Sequence, residues 1–266
     1  MSGVDAHFEG RVRRMRRSCM ALFLFLLPAL PALPASAVNL CKGTVYLTFD
    51  TGNMRPAEEI AVILRKHDVK ATFFLANEKT WRGDTALAPA WKEFWSARVG
   101  EGHAFGSHTW RHWYFRRDVG SGKVGYIPFG AASGEVLDQK QVCDEISHSE
   151  HAFKAMTGRG FDGIWRAPGG KFTPNTLRFA QACGYRHVAW SPAGFSGDEL
   201  PSEKFPAESL IRNQLRNIRD GDILLWHLGI WSRKEPLYPR LDDLISGLKA
   251  KGFCFARITE HPTWKR

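Results

Sequence analysis

The chain has 266 residues, of which 44% are hydrophobic and 24% are charged. These values match ordinary globular proteins, so they exclude disordered, collagen-like and small disulfide-scaffold classes. The length predicts about one or two domains, and the basic residues behind the net charge of +10 are dispersed, which argues against a nucleic-acid-binding patch.

The N-terminal segment has the pattern of a secretory signal peptide. A cluster of arginines over 11–17 precedes an apolar run over 19–30, which is too short to span a bilayer. The small residues at 35–37 predict cleavage after Ala37. The alternative is an uncleaved membrane anchor, which the prolines near this run disfavour. We therefore expect a signal peptide over 1–37 and an exported protein, periplasmic or extracellular, whose single domain spans 38–266.

An even number of cysteines remains after this cleavage: Cys41, Cys143, Cys183 and Cys254. In an exported protein this number favours disulfides. We favour the pairs Cys41–Cys254 and Cys143–Cys183, and the alternative is four buried free thiols. Cys-x-x-Cys does not occur, so the sequence supports neither a zinc ribbon nor a thioredoxin motif.

Strand-like and helix-like segments alternate from Gly43 onward. Segments rich in β-branched, aromatic or continuous apolar residues predict strands over 44–49, 70–76, 103–107, 163–166, 185–191, 222–226 and 253–258. Segments with helical spacing predict helices over 56–67, 90–97, 138–157, 174–183, 206–217 and 237–251. The glycine-rich residues 116–137 predict a long loop. Such alternation predicts parallel strands with helices outside, and we expect an α/β fold, a single distorted (β/α) barrel of about seven strands.

Polar side chains stand where several of these strands end: Asp50, His108, Arg166, Ser191 and His227. The active sites of β/α barrels are built at the C-terminal ends of the strands, so these side chains should meet on one face. Each has a plainer interpretation when taken alone, such as a turn cap for Asp50 or a core histidine for His227. Their joint position predicts a functional site.

Two histidines lie four positions apart, at His108 and His112. On a helical turn they would lie on one face and could share a metal ion. Chance or core packing is the alternative interpretation of an isolated pair with this spacing.

Four motifs follow one another in the chain: Asp50, His108-x-x-x-His112, Arg166-x-Pro-x-Gly170 and Leu225-x-His227. This order resembles the polysaccharide deacetylase family, the NodB-homology domain of carbohydrate esterase family 4. The run over 102–108 is similar to the family's Gly-His-Glu-Ile-Gly-Asn-His, and the resemblance covers about 44–258. It implies a NodB-type fold and a hydrolase that removes N- or O-acetyl groups from an envelope polysaccharide or a peptidoglycan-type polymer.

The resemblance also implies residue roles. Asp50 corresponds to the general base, His227 to the general acid and Arg166 to the residue that orients the base. His108 and His112 correspond to ligands of a divalent metal, which we expect to be zinc. Amide hydrolysis needs such groups because water must be activated and the leaving nitrogen must be protonated.

Further contacts to the substrate are expected next to the motifs. The backbone N–H of Thr51 is a candidate for holding the oxyanion. Aromatic rings near the motif ends are candidates for stacking on sugar faces, with hydrophobic packing as the alternative: Trp110, Trp113, Tyr114, Trp226 and Trp231.

The sequence departs from the family pattern at two places. Thr51 stands where the family has a second Asp, a metal ligand, so we expect a weakly held ion whose shell is completed by water or substrate. The alternatives are that another residue, such as His103, fills the gap, or that the site is empty. The family's Asp-x-x-Asp-Trp motif is absent, which leaves Ser196 where a partner of Arg166 is expected and Asp198 as another candidate partner.

Two alternative functions therefore stay open: a non-catalytic carbohydrate-binding protein, and a deformylase or deacetylase of a lipid-linked sugar. An acetylated polysaccharide is the expected partner, with no nucleic acid and no stable membrane span after cleavage.

Overall fold

The computed structural model describes residues 41–264, and the predicted signal peptide lies outside them. The strands are β1 (Gly43–Asp50), β2 (Thr72–Leu75), β3 (Ala104–Ser107), β4 (Tyr114–Val119), β5 (Lys123–Ile127), β6 (Glu135–Asp138), β7 (Ile164–Trp165), β8 (Arg186–His187), β9 (Ile223–His227) and β10 (Phe253–Phe255). The α-helices are α1 (Ala57–Lys66), α2 (Lys92–Gly100), α3 (Gln139–Thr157), α4 (Pro174–Ala182), α5 (Ala207–Asn217) and α6 (Leu241–Ala250). Within the described range, none of the helices has the length and apolar character that a membrane crossing requires.

Seven of the strands form one curled parallel sheet. β1 pairs with β2, β9 and β10, and the sheet continues from β2 through β3 and β7 to β8. Beyond β8, the backbone N–H of Ser191 donates to the carbonyl of Ile223 at 3.0 Å, so the irregular chain after β8 joins β9. This curled sheet confirms the predicted distorted barrel of about seven strands.

Local sequence explains the main elements of this sheet and its helices. Seven of the eight residues of β1 are buried, because a parallel strand covered on both faces is a continuous apolar run. α1 buries Ile60 and Leu64, which lie one turn apart on the same face. α3 begins at a capping box formed by Asp138 and Gln141, and it ends at Gly158, whose φ of 77° suits glycine.

The predicted loop over 116–137 is wrong. These residues lie mostly in a second, antiparallel sheet of three strands, in the order β4-β5-β6. Val124, Tyr126 and Leu137 are buried there and form a core cluster with Trp165. Glycine content suggested a loop, but the glycines with positive φ, Gly120 and Gly130 among them, serve the turns between strands that are themselves apolar on one face.

The structure contains both of the favoured disulfides. Cys41–Cys254 joins the segment just before β1 to β10, and Cys143–Cys183 joins α3 to the C-terminal end of α4. The alternative of four free thiols is therefore wrong. Both cross-links close long loops, which lowers the conformational entropy of the unfolded chain and so stabilises the fold.

Candidate active site

The C-terminal ends of the parallel strands bring four predicted site residues together. Asp50 ends β1 and is paired in register with His227, which ends β9. His108 directly follows β3, and Arg166 directly follows β7. Because parallel strands end at the same edge of the sheet, residues more than 170 positions apart, such as Asp50 and His227, become neighbours.

Asp50 and Arg166 form a buried ion pair. Arg166 Nη1 donates to Asp50 Oδ1 and to Thr48 Oγ1, each at 2.8 Å. Burial by itself would raise the pKa of Asp50, but Arg166, together with His108 and His227, lowers it below its ordinary value. Asp50 is therefore ionised at neutral pH, the state in which a carboxylate accepts a proton.

A second carboxylate holds the imidazole of His227. Asp198 Oδ1 lies 2.9 Å from His227 Nδ1, and Asp198 Oδ2 accepts the backbone N–H of His227 at 2.8 Å. Burial lowers the pKa of His227, but Asp198, with a smaller contribution from Asp50, raises it to about 9. His227 is therefore protonated at neutral pH. The suggested pairing of Asp198 with Arg166 is wrong, since Arg166 pairs with Asp50.

His108 and His112 lie close together, although not on a helical turn as we expected. Thr109 and His112 have φ values of 63° and 58°, in the left-handed region that interrupts a right-handed helix. The two imidazole centroids are nevertheless 4.8 Å apart. A sharply turned loop after β3, and not a helix face, brings the two rings together.

Thr51 is engaged differently from the prediction. Its backbone N–H donates to the carbonyl of Phe74 at 3.0 Å, so this N–H is not available to an oxyanion and the predicted role is not supported. The Thr51 hydroxyl donates to Glu78 Oε2 at 2.7 Å. Glu78 also lies 3.3 Å from His112 Nδ1. The sequence motifs do not include this carboxylate, which lies three residues after the end of β2, whereas His108 directly follows the end of β3.

His103, the alternative metal ligand, lies apart from this cluster. Its Nδ1 accepts the backbone N–H of Ala71 at 2.9 Å, and its Nε2 lies 3.2 Å from Glu101 Oε2. Both ring nitrogens of His103 are thus occupied by contacts, one to the residue before β2 and the other to the residue after α2. The structure therefore does not support His103 as a third ligand.

The histidines of the site suit a zinc ion. Burial lowers the pKa of His108 to about 4, so its imidazole is neutral, as metal binding requires. His108 Nδ1 lies 2.9 Å from the carbonyl oxygen of Arg166, and donation to that carbonyl leaves Nε2 for a metal. Within residues 41–264, no group of three or more His, Cys, Asp or Glu side chains is arranged to hold an ion as it stands. The two imidazoles thus fit zinc but need a further ligand.

The aromatic residues of the motifs differ in their access to a substrate. Trp226 borders the cavity beside His227, but its side chain has no exposed surface and belongs to the core cluster, so stacking of its ring on a sugar face is not supported. The Trp110 ring stacks on His148 with centroids 3.9 Å apart, which covers one of its faces. Trp231 is 63% exposed and lines a cavity of about 400 Å³ beside His227.

Comparison with known proteins agrees with this geometry. A model of the family described as polysaccharide deacetylase matches residues 37–188, more than half of the chain. A chitooligosaccharide deacetylase of Azorhizobium caulinodans is 28% identical, over 82% of this chain and 94% of its own length. The peptidoglycan-N-acetylmuramic acid deacetylase PdaA of Bacillus subtilis is 25% identical, over 84% of this chain and 72% of its own. A family 4 acetyl xylan esterase from Clostridium thermocellum, solved with a cobalt ion, has a TM-score of 0.64 and 22% identity, over 83% of this chain and 90% of its own.

Proposed function

Because this chain belongs to the polysaccharide deacetylase family, we propose that it is an exported, metal-assisted enzyme that removes N-acetyl groups from an envelope polysaccharide or a peptidoglycan-type polymer. The chain is a hydrolase acting on carbon–nitrogen bonds other than peptide bonds. The observation that carries the proposal is the pairing of Asp50 with Arg166 beside the pairing of His227 with Asp198, because it prepares an ionised base next to a protonated acid.

The chain's own residues account for the two proton transfers of the proposed reaction. Asp50 accepts a proton from the attacking water as the water oxygen bonds to the acetyl carbon. His227 donates a proton to the sugar nitrogen as the carbon–nitrogen bond breaks, which releases acetate and a free amine. Such positioned acid–base groups typically contribute about 100-fold to 10,000-fold to a rate.

His108 and His112 are the residues that would hold a divalent ion. When bound, a divalent ion polarises the acetyl carbonyl and lowers the pKa of its bound water to about 7. Zinc suits the two imidazoles better than magnesium or calcium, which prefer several oxygen ligands. A solved relative, the acetyl xylan esterase, carries cobalt, an ion whose ligand preferences are close to those of zinc.

The cavity beside His227 is the proposed site for the sugar. Trp231, Tyr238 and Arg55 line it, and rings next to a cation suit the apolar faces and hydroxyl edges of a carbohydrate. Among the relatives, printed names include a chitooligosaccharide deacetylase and an N-acetylmuramic acid deacetylase, which supports an N-acetylated sugar. The two disulfides support export, because disulfides persist in oxidising compartments.

Acetate release tests this proposal directly. The metal-supplied wild type should release acetate from N-acetylated chitooligosaccharides or peptidoglycan fragments, and the Asp50→Asn variant should release it at least about 100-fold more slowly. A panel with O-acetylated xylan separates amide from ester hydrolysis. Sugar binding without release from any substrate would instead support a non-catalytic carbohydrate-binding protein, the candidate that the Thr51 departure favours.

A further inference from the structure

The metal site needs an acidic ligand that Thr51 does not supply. We infer that Glu78 supplies it, so that Glu78 Oε1 binds the divalent ion together with His108 and His112. This inference rests on the proposed metal-assisted function. It moves the negative charge of the site from the end of β1 to the loop after β2, a position that the family motifs do not include.

The separation of ligand atoms fits a shared ion. Glu78 Oε1 lies 3.3 Å from His112 Nδ1. Two atoms that both bind one tetrahedral zinc, at about 2.0–2.1 Å each, are about 3.3–3.4 Å apart. Glu78 and His112 thus have the spacing of neighbouring corners of a zinc site, and a side-chain shift must bring His108 to the same ion, because no three-ligand group is arranged as it stands within residues 41–264.

Charge distinguishes Glu78 from the other nearby carboxylates. Asp50 Oδ2 lies 3.4 Å from His108 Nε2, but the Asp50 carboxylate is neutralised by Arg166 at 2.8 Å. Glu145, near the same loop, is paired with Arg111. Among the ion pairs of the described residues, Glu78 has His112 as its single partner, so its charge remains for a cation.

Thr51 holds the Glu78 carboxylate in this position. Its hydroxyl oxygen accepts the backbone N–H of Ala76 at 3.0 Å and donates its own proton to Glu78 Oε2 at 2.7 Å. Both hydrogen-bonding capacities of the hydroxyl are therefore used: it accepts a hydrogen bond from the backbone after β2, and it donates one to the carboxylate. Thr51 is then a positioning residue for the ligand, as hydrogen-bond partners of metal ligands commonly are.

Zinc affinity of chelator-treated protein tests the inference without relying on activity. Zinc is titrated in competition with a chromophoric chelator into wild type, Glu78→Gln and the double variant Thr51→Asp/Glu78→Gln. We expect one zinc per wild-type chain and a loss of at least about 100-fold in affinity for Glu78→Gln, because removal of a direct ligand should cost at least as much as the largest losses seen for outer partners of metal ligands. The double variant should regain most of the affinity, because Asp at position 51 restores a carboxylate.

A matched control removes a carboxylate elsewhere in the cleft. Glu59 lines the cavity beside His227, and Glu59→Gln should bind zinc like the wild type. Equal affinities of wild type and Glu78→Gln would overturn the inference, as would failure of the wild type to bind zinc. Circular dichroism checks folding; if Glu78→Gln does not fold, Glu78→Asp takes its place, and an unchanged affinity in that shortened variant would also refute direct ligation.

Acetate release at saturating zinc separates this inference from the proposed function. Glu78-dependent zinc binding without acetate release from any substrate would leave the ligand assignment intact and refute the deacetylase proposal. Acetate release by a protein whose zinc affinity does not depend on Glu78 would support the deacetylase proposal and refute the assignment of Glu78 as a ligand.

Discussion

The base side and the acid side of the site are neighbours in one sheet but have opposite electrostatic environments. Asp50 and His227 are paired in register, yet Asp50 faces a guanidinium and His227 faces a carboxylate. Against the opposing effect of burial in each case, Arg166 lowers the pKa of Asp50 and Asp198 raises the pKa of His227 to about 9. Each group is thus held in the charged form that its role requires, which shows that the partners, more than burial, assign the roles of base and acid.

The strongest test of this contrast removes the base. We expect Asp50→Asn to lower kcat by at least about 100-fold, because the amide cannot accept the proton of the attacking water. The loss should be similar for an N-acetylated sugar and for an aryl acetate, since both need the same water. Zinc content, measured by atomic absorption, should equal that of the wild type. A variant that loses its zinc would make Asp50 a metal ligand and contradict its assignment as the base.

Removal of the acid should have a more selective effect. We expect His227→Ala to lower kcat for an N-acetylated sugar by at least about 100-fold, because the amine leaves only when it is protonated. An aryl acetate has a leaving group that needs no proton, so its hydrolysis should fall much less. Parallel kinetics on the two substrates check this, and equal losses would show that His227 acts before the bond to the leaving group breaks.

The acid can also be weakened without being removed. Wild-type activity should fall as the pH rises through about 9, because His227 loses its proton at its pKa of about 9. Asp198→Asn removes the largest influence that opposes burial, so the pKa of His227 should drop and the alkaline limb should move down by about 1–3 pH units. A kcat–pH profile measures this shift. An unmoved limb would mean that another group titrates there.

The smallest effect on activity is expected where β4 of the three-stranded sheet lies beside the active site. Tyr114 of β4 lies so close to Gly169 that a Cβ there would come within 2.9 Å of its ring. Phe129, which is 79% exposed, packs edge-on against Tyr114 with centroids 5.8 Å apart. We expect Phe129→Ala to change KM for longer polymers severalfold and to leave kcat and thermal stability unchanged. The same KM for short and long substrates would place the polymer elsewhere.

Most of the fold and the centre of the site could be predicted from local sequence. Runs rich in β-branched, aromatic or continuous apolar residues identified the parallel strands, and the ends of these strands identified Asp50, His108, Arg166 and His227. The strand ends were a good guide because the C-terminal ends of parallel strands lie at one edge of the sheet, whatever the length of the connections between the strands. The three-stranded sheet was missed because its turns are rich in glycine. The loop between His108 and His112 was missed because positive φ is uncommon at residues other than glycine, so the spacing of the two histidines alone favoured a helical turn.

Tertiary structure alone decided which partner each site residue has. Asp198 lies in irregular chain 29 positions before His227, and Glu78 lies 27 positions after Thr51, so no local pattern links the members of either pair. Short segments of sequence are enough to show which chemical groups end the strands, because residue pattern and burial are properties of short segments. The protonation states of those groups, and the carboxylate that faces His112, depend on charges brought together across the sheet, since electrostatic interaction follows distance in space and not separation along the chain.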